Sequence, residues 1–163
     1  IMKFFITGTI RSEKGPRAIL TFTLLFFLVF LAMNVALLFA QTGLLPSQIA
    51  ELHEPSTVMR LERTHVQLFL FTLVYVISAS IFFQTRIGPG FKRFGLFAGA
   101  LLTFFYIVSY PLLLTADALP VYLYSIATIA VHLWYALLIG YLLFDLYAPA
   151  GHLASEHRPS GEH

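Results

Sequence analysis

His132 is the one strongly titratable side chain that the sequence buries deep within a long apolar run. Lipid offers an imidazole no hydrogen-bond partner, so at that depth it must be met by protein, a cofactor or water. Helical spacing places Ser125, Thr128, His132 and Tyr135 on one stripe. Such a histidine suits three chemistries: ligation of haem b, ligation of a chlorin pigment, or hydrogen bonding to a quinone. Beside them stands a structural role. A neutral ring bonded to Thr128, Ser109 or Tyr135 would hold helices together.

His65 is the second candidate, in the run Arg63-Thr64-His65-Val66-Gln67-Leu68-Phe69. It falls at the edge of the second apolar segment. A haem ligand or a quinone-headgroup partner would suit it there. So would an interfacial histidine touching water and lipid headgroups. Depth argues against one haem held between the two rings. His132 follows Pro120 by 12 positions, which is about 18 Å along a helix rising about 1.5 Å per residue. His65 lies near its own wet turn, so the two differ in height by about 12 Å on the same rise.

Other chemistries find no support. The chain has no cysteine. That removes disulfides, thiolate metal sites, iron–sulfur clusters and covalent c-type haem. His152, His157 and His163 are irregularly spaced in a polar tail, without the supporting shell that metal sites use. No paired carboxylates lie in the apolar runs, so a proton relay is not evident. A phosphate-binding glycine loop, a zinc H-E-x-x-H and a nucleophile elbow are all absent. The net charge of +2 forms no basic groove, and nucleic acid is not an expected partner.

The elements that must position these residues are helices. Of 163 residues 58% are hydrophobic and 11% charged, against about 25% charged in ordinary soluble domains. A span needs roughly 20 apolar residues, and four such runs are present. The expectation is an all-α polytopic bundle of four transmembrane helices, over about 17–40, 56–85, 93–115 and 120–147. Residues 1–150 would form a single membrane domain and 151–163 a polar cytoplasmic tail. Residues 1–16 read as an interfacial segment. A short helix lying flat on the membrane is expected near 46–52, and Ser56 as an N-cap for the second helix. Ile87-Gly88-Pro89-Gly90 marks a turn. Lys92 and Arg93 would open the third helix, and Pro111 would kink it.

Orientation follows from the positive-inside rule. With both termini in the cytoplasm, Lys3, Arg11, Lys14, Arg17, Arg86, Lys92, Arg93 and Arg158 all fall inside. Only Arg60 and Arg63 fall outside. Gly95, Gly99 and Thr103 make a small-residue stripe that admits a close helix neighbour. Asn34, within the first run, is expected to bond across helices.

Two stretches carry a resemblance. Thr42-Gly43-Leu44-Leu45-Pro46-Ser47-Gln48-Ile49 and Thr64-His65-Val66-Gln67-Leu68-Phe69 resemble a pattern in small four-span bacterial inner-membrane proteins of poorly defined function. There a T-G-L-x-P-x-x-I loop leads to a T-H-x-H-L-F entry into the second helix. Gln67 stands where that pattern has its second histidine. The resemblance implies the four-span topology and no activity.

The residues lead to an expectation for function. The chain would be an accessory or structural subunit of a multi-subunit electron-transfer complex, respiratory or photosynthetic, in a bacterial inner membrane. It would not be catalytic by itself. Its partners would be the lipid bilayer and other membrane subunits, cytochromes among them. His132, His65, Thr128 and Tyr135 are the candidate cofactor-binding residues. The alternative is a stand-alone small carrier or transporter, and an integral enzyme acting on lipids ranks last.

Overall fold

The computed structural model describes residues 14–41, 43, 45–50, 57–85, 87–113 and 118–148. The interfacial segment before Lys14, the Ser56 cap, Arg86, Asp117 and the tail histidines lie outside them. Five helices follow in order: α1 (Lys14–Gln41), α2 (Pro46–Ala50), α3 (Thr57–Phe83), α4 (Pro89–Leu112) and α5 (Ala118–Tyr147). No strand occurs among the described residues. The four long helices have the length and apolar composition to cross a membrane.

Local chemistry sets the ends. Pro16 sits in the first turn of α1, where a missing N–H costs nothing. Gly43 after α1 has φ of 69°, a left-handed conformation that glycine adopts without a Cβ penalty. The Gln48 side chain fills the space that a Cβ at Gly43 would need. That same side chain accepts a hydrogen bond from the Leu45 N–H at 3.2 Å and so caps α2. α4 begins at Pro89, four residues before the sequence expectation. Gly88 is extended (φ −60°, ψ 149°) and caps the helix, which puts Pro89 at the first helical positions. Pro111 falls one residue before the end of α4. It therefore stands at the exit of the helix and not in its middle.

The long helices alternate in direction. α1 packs on α5, α5 on α4, and α4 on α3. α1 and α3 close this ring least tightly and meet through an edge contact between Phe30 and Phe71 at 5.8 Å. At one end of the bundle, Arg17 lies 5.3 Å from the Tyr147 ring centre, and Thr21 Oγ1 is 2.8 Å from the Tyr147 hydroxyl. Lys92 Nζ donates to the Phe83 carbonyl there. At the other end, Arg63 lies 5.2 Å from the Tyr110 ring centre and reaches its hydroxyl at 3.5 Å. These are the Arg17 end and the Arg63 end below.

The half toward the Arg17 end packs through small residues. An added Cβ at Gly95 would stand 3.0 Å from the Phe82 ring, and one at Gly99 would stand 2.9 Å from Trp134 Nε1. α4 thus approaches both α3 and α5 closely. Tyr75 on α3 adds a hydrogen bond to the Leu96 carbonyl at 3.2 Å. Gly140 on α5 has nothing within 4 Å of the corresponding position. Gly99→Ala should therefore lower stability by about 1–3 kcal/mol through overpacking, while Gly140→Ala should be neutral or stabilising by up to about 1 kcal/mol. Denaturant unfolding of the two variants in detergent measures the difference. Equal effects would deny the close approach at Gly99.

Candidate functional site

α5 supplies the centre. Ser125, Thr128, His132 and Tyr135 are all buried on the face that α5 turns to the other helices. His132 keeps 7% of its surface exposed. Its Nδ1 lies 2.7 Å from the Thr128 carbonyl, one turn back on the same helix. A carbonyl only accepts, so Nδ1 carries the ring proton and donates it. Nε2 lies 3.0 Å from the Oδ1 position of the Asn34 amide on α1. The Tyr106 hydroxyl on α4 lies 3.5 Å from the same amide position.

These contacts fix the amide. A neutral ring with its proton on Nδ1 offers only a lone pair at Nε2, so it needs a donor. Oδ1 and Nδ2 exchange places by a half-turn of the amide, and their partners tell them apart. With the amide NH2 toward the cluster, one hydrogen serves His132 Nε2 and the second is directed to the Tyr106 oxygen. A charged ring would instead leave a cation in an apolar cage without a carboxylate. Glu62 and Asp145 are the carboxylates among the described residues, and they sit near opposite ends of the bundle.

Aromatic rings make the cage. Phe71 on α3 and Tyr106 each meet the imidazole edge-on, with centroids 5.5 Å and 5.6 Å from it. Phe71 also touches Tyr106 at 4.9 Å and Tyr135 at 6.1 Å. Tyr106 stacks on Tyr124 at 6.3 Å, and Tyr124 meets Tyr110 at 5.4 Å. A column of rings therefore runs from Arg63 down to Tyr135. All four long helices contribute to the His132 cluster: Asn34, Phe71, Tyr106 and His132 itself.

The other sequence candidates separate. Tyr135 is buried but bonds to Thr103 and not to His132, at 2.7 Å. Thr103 Oγ1 donates to the Gly99 carbonyl at 2.7 Å, so the Tyr135 hydroxyl donates to Thr103. Thr128 contributes its backbone carbonyl, and its hydroxyl oxygen is buried with no partner. Ser109 bonds to the Tyr106 carbonyl and leaves His132 alone. His65 lies on the exposed face of α3, outside the cluster. The inward stripe of α3 is Gln67, Phe71, Val74 and Ser78. Sequence reasoning passed over Gln67 as a site residue, and also Trp134, which turned out to cover Gly99. The i, i+4 step from Gln67 to Phe71 was the signal for the first. Nothing local signalled the second.

No family model, curated protein or solved structure matches this chain. The fold and site define a class on their own terms: an all-helical bundle of four long apolar helices suited to a lipid bilayer, with a hydrogen-bonded histidine at its centre.

Asn34→Leu should cost about 1 kcal/mol, since interhelical hydrogen bonds in membranes average about 0.6 and reach about 1.7 kcal/mol. A double-mutant cycle of Asn34→Leu with His132→Phe, read by unfolding in detergent, should return a coupling of that size. Additive effects would show that the two side chains do not depend on each other.

Proposed function

We propose that the chain is a non-catalytic subunit of a multi-subunit electron-transfer complex in a bacterial inner membrane, with both termini in the cytoplasm. Its polar centre serves a lipid-soluble quinone in preference to a haem or pigment. The observation that carries this reading is the His132 cluster. Metal ligation would use the Nε2 lone pair, which Asn34 already holds. A quinone asks only for a hydrogen-bond donor within an aromatic surround, and with both Asn34 hydrogens committed the Tyr106 hydroxyl hydrogen is left to supply one.

Three further features support it. The described carboxylates and the central imidazole lie too far apart along the bundle for an acid–base pair. The eight-to-two distribution of Lys and Arg supports the orientation. Large aromatic side chains face outward along α1 and α4, among them Phe22, Phe26, Phe94, Phe97 and Phe104. Such faces suit lipid tails and neighbouring apolar helices alike.

Purification of the tagged chain from its native membrane in mild detergent tests the assignment. The expected product contains cytochrome-bearing partners and shows a Soret band in its visible spectrum. That band should survive His65→Ala and His132→Phe, because the haem belongs to the partners. A colourless chain that purifies alone and monodisperse would sink the assignment and favour the carrier.

A further inference from the structure

The Arg17 end carries two cations that no described carboxylate neutralises. Arg17 is half-buried, with its guanidinium 5.3 Å from the Tyr147 ring centre. Lys14 stands one turn before it on α1 and is exposed. Side chains three apart on a helix are neighbours, so these two can reach one anion. Glu62 and Asp145 are the carboxylates among the described residues, and neither is placed to serve. Glu62 adjoins Arg63 at the opposite end. Asp145 shares a face of α5 with Tyr141, one turn back, whose ring meets Phe82 on α3. Tyr147 lies two residues further on, about 200° round the helix. In the sequence, the stretch around this point sets Arg11, Lys14 and Arg17 against Glu13 alone.

The platform beneath Arg17 is fixed. Thr21 Oγ1 donates to the Arg17 carbonyl at 2.8 Å. The Tyr147 hydroxyl therefore donates to Thr21 Oγ1, also at 2.8 Å, and its ring is held against α1. A guanidinium lying over a ring face keeps its N–H edge free. That edge matches two oxygens of a phosphate.

α5 continues this corner into the apolar layer. Leu137, Phe144 and Tyr147 are 63%, 70% and 55% exposed. Gly140, between them, has nothing within 4 Å of where a Cβ would stand. Positions 137, 140, 144 and 147 recur at steps of three and four and so share one outward stripe. At Gly140 the stripe is notched between two large side chains. Ten residues separate Leu137 from Tyr147, about 15 Å along the helix. That is the depth of one leaflet in a hydrocarbon core about 30 Å thick. An acyl chain lying in the stripe would begin beside the Arg17 guanidinium.

We infer that this corner of α1 and α5 binds an anionic glycerophospholipid, its phosphate bridging Arg17 and Lys14 and one acyl chain lying along the notched stripe. The stripe selects a lipid over a free phosphate ion. A zwitterionic lipid brings the same phosphate with an ammonium group, which two cations without a carboxylate repel. The inference needs only that the bundle spans a bilayer, and it stands apart from the electron-transfer assignment.

The test uses the full chain in mixed micelles that hold equal amounts of phosphatidylglycerol and phosphatidylcholine with identical acyl chains. Native mass spectrometry counts the lipids retained. Phosphatidylglycerol should be preferred about tenfold or more, and Arg17→Gln and Lys14→Gln should each lower that ratio about fivefold. Arg93→Gln removes an exposed cation from α4 at the same end and should leave the ratio unchanged. Gly140→Phe fills the notch and should weaken retention of phosphatidylglycerol although both cations remain. A ratio near one overturns the inference. So does an Arg93→Gln effect as large as that of Arg17→Gln, which would make the attraction a diffuse property of a basic end. Displacement of the lipid by millimolar inorganic phosphate, or unaltered retention in Gly140→Phe, assigns the cations to a soluble phosphate and overturns it too. Two lipids are compared within each variant, so partial unfolding does not imitate the change in ratio.

Discussion

An imidazole surrounded by apolar helices has two nitrogens to satisfy and no solvent to satisfy them. In this chain the first is answered within α5, by the Thr128 carbonyl. The second is answered from α1, by Asn34. The first bond fixes the ring's tautomer and the second fixes which helix stands beside it. Neither contributes much by itself, since such bonds in membranes average about 0.6 kcal/mol. Their effect is on specificity. A slip of α1 by one residue against α5 would move the amide off Nε2 and leave a buried lone pair unmet, whereas apolar contacts tolerate the same slip.

The two halves of the bundle use different packing. Toward the Arg17 end, Gly95 and Gly99 bring α4 against Phe82 and Trp134. Phe82 in turn meets Tyr141 edge-on at 6.2 Å. Backbones come close there, and dispersion across that contact is what association in lipid can draw on. Toward the Arg63 end, the space between helices is filled by Phe71, Tyr106, Tyr110 and Tyr124. Rings of that size hold helices apart and bring polar atoms with them. The unpartnered oxygens of Gln67 and Thr128 fall in this half, and the cation–π contact of Arg63 with Tyr110 stands at its end.

The sequence made some of this legible and hid the rest for physical reasons. Four apolar runs of sufficient length announced four helices, because the cost of unpaired backbone in lipid leaves few alternatives. The 3.6-residue period placed Ser125, Thr128, His132 and Tyr135 on one buried stripe. Asn34 was expected to bond across helices, and it does. The partner of each residue was another matter. Periodicity gives the face of a helix but not its rotation relative to neighbours. The His132 contacts therefore came out as Asn34 and a backbone carbonyl, while Tyr135 went to Thr103. Boundaries shifted where a turn residue served the helix. Pro89 looked like loop beside Gly88 and Gly90, yet a proline at N1 starts a helix well.

α1 shows how little greasy area need count in such a fold. It is the least buried of the four long helices, and most of its surface faces outward. Lipid tails are as apolar as its leucines, so exchanging lipid for helix offers little driving force. Polar pins remain. Arg17 and Thr21 hold α1 to Tyr147 at one end of α5, and Asn34 holds it to His132 further along. Two separated points on a rigid rod define its tilt and register together. The side of α1 that faces α3 has no comparable polar tie among the described residues, only the Phe30–Phe71 edge contact. The sparse packing across that seam accords with pins that lie on the opposite side of α1. The pins keep Asn34 beside the imidazole.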